Sequence, residues 1–303
     1  MAYPTLSRNH FRIGCDLMNL FFCIEEGTDD ETPEVVAERM ALLKEAMSQR
    51  DIIAHSGPDS ERPESNWGGL AVGREFWDNA GPQMRPSTAS RFLKSFFQYL
   101  DSVVAEAVDR AAEAKHNNTP VYTLESYMRL RRKTIGAEPS YAVMELALDQ
   151  LDEAEVTEAA TSAPMRELAK IAIDIIILGN DLVSYNRERL SGAVHNIVTV
   201  ILKNPPSPTV TLPKGAPATI SSVQDAMDWI GAYNDELVCR FLSLYGRITQ
   251  SDSASAAAKQ YAYGLGNWVR ANDQWAFESC RYFGMRGAEV QKTRAVELLP
   301  MKD

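Results

Sequence analysis

Residues 165–190 read MRELAKIAIDIIILGNDLVSYNRERL. Apolar groups recur at three- and four-residue spacing through Leu168, Ile171, Ile175, Ile176 and Leu182, the period of a helix with a buried stripe. The run 171–179 is the most apolar in the chain, but it is short and carries Asp174. It predicts a core helix and not a membrane span. The polar groups that follow are ordered. Asn180, Ser184 and Glu188 stand at i, i+4 and i+8. With about 100° per residue, each four-residue step drifts only about 40°, which keeps all three on one face. They offer an amide oxygen, a hydroxyl and a carboxylate, hard ligands suited to magnesium and not zinc. Magnesium takes few protein ligands and shares phosphate oxygens, so the stripe suits a metal held jointly with a substrate diphosphate. A solvated polar stripe is the plainer reading of such spacing, but the flanking Ile-Ala-Ile-Asp-Ile-Ile-Ile-Leu is a poor setting for simple exposure. Four fixed residues, counting Asp181, should arise by accident in only about two per thousand chains of this length.

The helical period continues on both sides. Residues 87–114 keep it through Phe92, Phe96, Phe97, Leu100, Val103, Val104 and Val108. Residues 223–248 keep it through Met227, Ile230, Tyr233, Leu237, Phe241 and Leu244, and residues 256–283 do the same. Strand alternation is nearly absent; the best candidate, 209–212, lies among prolines. Polar and proline-containing breaks fall at 56–66, 117–120 and 204–219. The last holds five of the fifteen prolines and predicts an exposed surface loop, since proline neither continues a helix nor donates to a ladder. The texture on either side of it is the same. The expectation is one all-α domain over 1–303, with roughly ten helices.

Composition narrows the function. With 303 residues and 45% hydrophobic content the chain can bury a large core. Lys plus Arg number 31 against 41 acids, a net charge of −10, which argues against a nucleic-acid partner. An anionic ligand would then need local basic groups or metal ions. The four cysteines (Cys15, Cys23, Cys239, Cys280) form no CxxC pair, and the four histidines no HExxH, so zinc chemistry and a disulfide framework are poorly supported. No signal-peptide pattern precedes Phe11, and the expectation is a cytoplasmic protein.

The segment 179–188 resembles the NDxxSxxxE metal motif of microbial class I terpene synthases, most closely the fungal sesquiterpene synthases, including the basic Arg187 before the final glutamate. The stretch 195–200, His-Asn-Ile-Val-Thr-Val, follows that motif in many fungal members. The resemblance implies a single helical bundle around a deep apolar active-site cavity. It places the aspartate-rich D(D/E)xxD motif at Glu25, Glu26 and Asp29, with glutamate in the first position. Glutamate still supplies oxygens, but its longer arm shifts the metal. In the family an arginine four residues before a glycine senses the diphosphate; Arg132 and Gly136 fit, with Ile135 where some members have aspartate. Arg281 and Tyr282 resemble the C-terminal RY pair. The matches run in family order from residue 15 to residue 284.

The resemblance implies ionisation of a prenyl diphosphate with three Mg2+ ions, held by Glu25, Glu26 and Asp29 and by Asn180, Ser184 and Glu188. Arg132, Arg187, Arg281 and Tyr282 would grip the diphosphate. Farnesyl diphosphate is the favoured substrate over geranyl diphosphate. The product would be a cyclic hydrocarbon or, if water reaches the cation early, an acyclic alcohol such as nerolidol or linalool. Phe21 and Phe22 precede Glu25 by four and three residues and could line the pocket; Trp268 and Trp275 are further candidates for cation–π contact. Two alternatives stand beside this reading. A chain-elongating prenyl diphosphate synthase carries a second aspartate-rich motif, which this chain lacks. A non-catalytic helical ligand-binding scaffold of the same fold is left open by Glu25 and Gly27. The expected partner is a small-molecule substrate, for a monomer or homodimer.

Overall fold

The computed structural model describes residues 1–48, 65–114, 121–191, 195–206 and 212–300. The expected break at 117–120, most of that at 56–66 and residues 209–211 of the strand candidate lie outside the described residues. The described residues are 78% helical and hold no strand; the fold is all-α, as the periodicity predicts. It divides into two compact units.

The first unit holds residues 5–119 and 133–157. Its helices are α1 (Arg8–Glu26), α2 (Pro33–Ser48), α3 (Gly68–Ala80), α4 (Pro86–Ala114) and α6 (Ala137–Met144). Ser7 caps α1 by accepting from the His10 N–H. The helix then buries Ile13, Leu17, Leu20, Phe21 and Ile24, a stripe at three- and four-residue spacing. The core is an aromatic column. Trp77 stacks on Phe92 at 5.4 Å, Phe92 on Phe96 at 5.5 Å, and Phe21 meets Tyr99 edge-on at 4.8 Å. One ionic knot interrupts this apolar interior. Glu145, buried at 4% exposure, accepts from the Thr88 hydroxyl at 2.6 Å and from Arg91 Nε at 3.0 Å.

The second unit holds 1–4, 120–132 and 158–303. After α5 (Leu124–Thr134) and α7 (Glu153–Thr161) come α8 (Ala163–Glu188), α9 (Ile197–Lys203), α10 (Val223–Thr249) and α11 (Ala256–Glu278). Every residue from Ile171 to Leu178 on α8 is buried, because α10 and α11 pack along it. Serine hydroxyls at Ser222 and Ser255 cap α10 and α11. The expected single helix over 256–283 is broken. Ser279 leaves the helical region (φ −74°, ψ 147°), ending α11 and standing before a separate turn, α12 (Cys280–Phe283). A last helix, α13 (Gly287–Thr293), follows. Gly287 is required there, since a Cβ would lie 1.8 Å from the Phe277 carbonyl oxygen.

Thirteen α-helices occur among the described residues, against roughly ten expected. The surplus is in short helices such as α6, α9, α12 and α13, whose few residues cannot show a period and whose formation rests on tertiary packing. Residues 204–206 and 212–219 carry no helix, as the prolines predict. No helix among the described residues is long and apolar enough to cross a membrane. All four cysteines are free.

The Glu145 knot gives a test. Glu145→Ala leaves Arg91 without its buried carboxylate and should cost about 3 kcal/mol, whereas the apolar pair Arg91→Met/Glu145→Leu should recover most of that loss. Thermal unfolding of the three proteins measures it; an unchanged midpoint in the single variant contradicts the assignment.

Candidate active site

The second unit gathers the α8 motif around one buried acid. Asp181, 1% exposed, accepts from the Tyr127 hydroxyl, from Arg131 Nη2 at 3.1 Å and from the Ile197 backbone N–H at 2.9 Å. Its backbone oxygen accepts from Asn196 Nδ2 at 2.8 Å. Asn196 is also the N-cap of α9, where its Oδ1 accepts from the Val198 N–H. One side chain thus starts α9 and ties it to α8. Burial, then the neighbouring Asp181, pushes the Tyr127 phenol well above its ordinary range.

Asn180, Ser184 and Glu188 keep the shared face predicted for them, and each oxygen is met by an ordering donor. Asn180 Oδ1 accepts from Arg131 Nη2 at 3.1 Å, while its Nδ2 donates to the Tyr282 hydroxyl at 3.0 Å. Glu188 Oε2 accepts from Asn196 Nδ2 at 3.0 Å, with Ser184 Oγ at 3.4 Å from the same nitrogen. Burial, then Asp181, raises the Glu188 carboxyl above the usual carboxylate range. An amide oxygen, a hydroxyl and a carboxylate held in order, beside a second buried acid, suit a hard divalent cation, whose charge would relieve that crowding. Among the described residues no group of three or more His, Cys, Asp or Glu side chains forms a cage.

In the first unit, Glu25 and Glu26 close α1 and Asp29 lies in the turn beyond it. Carboxylates at the negative end of a helix are unfavourable by themselves and favour a cation. The turn is built to stay. The Thr28 hydroxyl donates to the Ile24 oxygen at 2.9 Å, Arg39 donates to the Gly27 oxygen, and Arg110 donates to the Thr28 oxygen at 2.9 Å. Gly27 is required for this packing, since a Cβ would meet Trp67 Nε1 at 2.4 Å. Burial, then Glu25, pushes the Tyr99 phenol well above its ordinary range.

The remaining expected residues are placed as follows. Phe21 is buried in the aromatic column, 3.0 Å from where a Gly136 Cβ would stand, and Phe22 is half-buried. Gly136, the residue before α6, has φ +69° and turns left-handed to start that helix. Arg132 is paired with Asp174. Arg187 Nη1 donates to the Arg281 backbone oxygen at 3.2 Å. Arg281 and Tyr282 sit on α12, with Arg281 6.0 Å over the Tyr282 ring. Trp275 packs edge-on to Tyr282 at 5.9 Å, and Trp268 edge-on to Tyr3 at 5.2 Å. Sequence reasoning missed Tyr127, Arg131, Asp174 and Asn196 as site builders. The available signals were the acids at 174 and 181 inside an apolar run and the paired arginines at 131 and 132.

The profile of terpene synthase family 2, C-terminal metal binding, matches residues 16–238. The chain belongs to this family. It is a class I terpene synthase. Delta(6)-protoilludene synthase 18 of Postia placenta is 39% identical over 304 residues, spanning 100% of this chain and 78% of that protein. A Delta(6)-protoilludene synthase of Armillaria gallica is 37% identical over 303 residues, spanning 99% and 78%. Among solved structures, germacradien-4-ol synthase from Streptomyces citricolor has a TM-score of 0.67 at 21% identity, covering 91% of this chain and 81% of its own. An α-eudesmol synthase has 0.70 at 20%, covering 92% and 82%. At those identities the solved structures establish the all-α terpene synthase fold. The matching family is one of metal-binding domains.

The roles of the neighbours Asn180 and Asp181 in this terpene synthase separate by stability. Asp181→Ala strips the partner from Tyr127, Arg131 and the Ile197 N–H and should cost about 3 kcal/mol or more. Asn180→Ala loses two half-exposed hydrogen bonds and should cost about 1 kcal/mol. Scanning calorimetry distinguishes them; equal losses contradict the anchoring role of Asp181.

Proposed function

We propose that this class I sesquiterpene synthase takes farnesyl diphosphate and, with Mg2+, releases diphosphate to form a sesquiterpene. The observation that carries the reading is the ordered face of Asn180, Ser184 and Glu188, anchored by buried Asp181, in a chain of this family. The fungal protoilludene synthases that it resembles support the sesquiterpene type. Asn180, Ser184 and Glu188 are the proposed metal ligands on α8, and Glu25, Glu26 and Asp29 those at the end of α1, for three Mg2+ ions. Both units then make up one terpene synthase domain, placed in the cytoplasm.

The bound cations supply charge neutralisation to the departing diphosphate. Arg132, Arg187 and Arg281 donate N–H groups, and Tyr282 its O–H, to phosphate oxygens. The allylic carbon–oxygen bond breaks heterolytically; diphosphate leaves with the electron pair and an allylic carbocation remains. Donors aimed at developing charge lower this barrier because they need no reorganisation. Gly136 gives the chain beyond Arg132 the left-handed turn that only glycine adopts without strain. Phe21, Phe22, Trp268 and Trp275 are the proposed apolar and cation–π surfaces that keep water from the cation. Chain elongation is disfavoured because a second aspartate-rich motif is absent from the sequence.

Incubation with C10, C15 and C20 prenyl diphosphates and Mg2+, read by gas chromatography–mass spectrometry, tests this. A C15 terpene from farnesyl diphosphate is expected. Asn180→Ala and Glu188→Ala should each lower turnover by about a hundredfold or more, and Arg281→Ala should weaken diphosphate handling. Diphosphate release from none of the substrates contradicts the reading, as do near wild-type rates in the variants.

A further inference from the structure

Arg132 and Asp174 form a pair whose geometry outruns a structural role. Asp174 lies in the most apolar stretch of α8, between Ile173 and Ile175, with its side chain only 6% exposed. Arg132 Nε donates to Asp174 Oδ1 at 2.6 Å and Nη2 donates to Oδ2 at 2.9 Å. This is a side-on, two-point pair that fixes the guanidinium plane. A buried ion pair is a weak stabiliser compared with apolar residues of similar volume, so stability alone does not account for a carboxylate here. Asp174 and Asp181 are seven residues apart. About 700° of helix turn brings them within about 20° of one face. Consecutive arginines on α5 take one each, Arg131 holding Asp181 and Arg132 holding Asp174. Arg131 also holds Asn180, so Arg132 hangs from the same two helices as the proposed metal ligands.

The side-on pair uses only one edge of the guanidinium. Nε and one Nη2 proton face Asp174, leaving both Nη1 protons and the second Nη2 proton on the outer edge. Arg132 Nη1 makes no hydrogen bond among the described residues, and the side chain is 25% exposed. Nearby Glu167 does not compete, being engaged with Arg240 at 3.0 Å. Asp174, then, turns a flexible side chain into a planar fork with a fixed outward direction, the shape that takes two oxygens of a phosphoryl group. Tyr233, whose phenol is raised first by burial and then by Asp174, is near enough for the charges of the pair to act on it.

We propose that Asp174 is a positioning residue: it holds Arg132 side-on, so that the outer edge of the guanidinium binds the diphosphate. The proposal rests on the diphosphate reading given above. Its test is calorimetric titration of the full chain with inorganic diphosphate in the presence of Mg2+, which needs no turnover. The variants are Asp174→Asn, Arg132→Lys and the double variant. Arg132→Lys keeps a cation beside the buried carboxylate, and so protects the fold, but has no second edge. Each single variant should weaken diphosphate binding by about tenfold. The double variant should be no weaker than either single, because both remove the same fork. Wild-type affinity in either single variant overturns the proposal, as do losses that multiply to about a hundredfold in the double. Absence of diphosphate binding by the unmodified chain overturns the diphosphate reading itself, whereas intact binding with unaffected variants overturns only the role of Asp174.

Discussion

A carboxylate almost wholly buried holds the second unit's site in order. Asp181 sits in a helix buried along much of its length, and a buried acid is tolerated only when its oxygens are filled by good donors. Tyr127 and Arg131 from α5 and the first N–H of α9 fill them. Three helices are thereby fixed in register. The neighbours in sequence, Asn180 and Ser184, and Glu188 two turns on, inherit that order. Arg131 and Asn196 complete it by holding their oxygens.

The first unit meets the same difficulty by another route. Its acids gather where a helix ends and the backbone carbonyls already concentrate negative charge. Arg39 and Arg110 satisfy carbonyls of the turn, and Thr28 closes the helix end from within. Gly27 lets Trp67 lie against the turn.

Much of this was legible in the residues. The long helices α4, α8, α10 and α11 announce themselves because their apolar stripes repeat over many turns. The face shared by Asn180, Ser184 and Glu188 follows from spacing alone. Other features were illegible for definite reasons. The end of α11 depends on the backbone of Ser279 leaving the helical region, which composition does not signal. The arginines that hold Asp174 and Asp181 lie 42 and 50 positions away in the chain, a pairing that local pattern does not reveal. Asn196 was visible only as part of a resemblance, while its physical work, capping one helix and bonding another, needs the fold.

The most direct measurement is a crystal structure with inorganic diphosphate and Mn2+, located by its anomalous scattering. The expected result is a manganese ion in contact with Asn180 Oδ1, Ser184 Oγ and the Glu188 carboxylate, with diphosphate oxygens completing its shell. Manganese bound only elsewhere, with Asn180 still turned to Arg131 and Tyr282 and Glu188 still turned to Asn196, would contradict it.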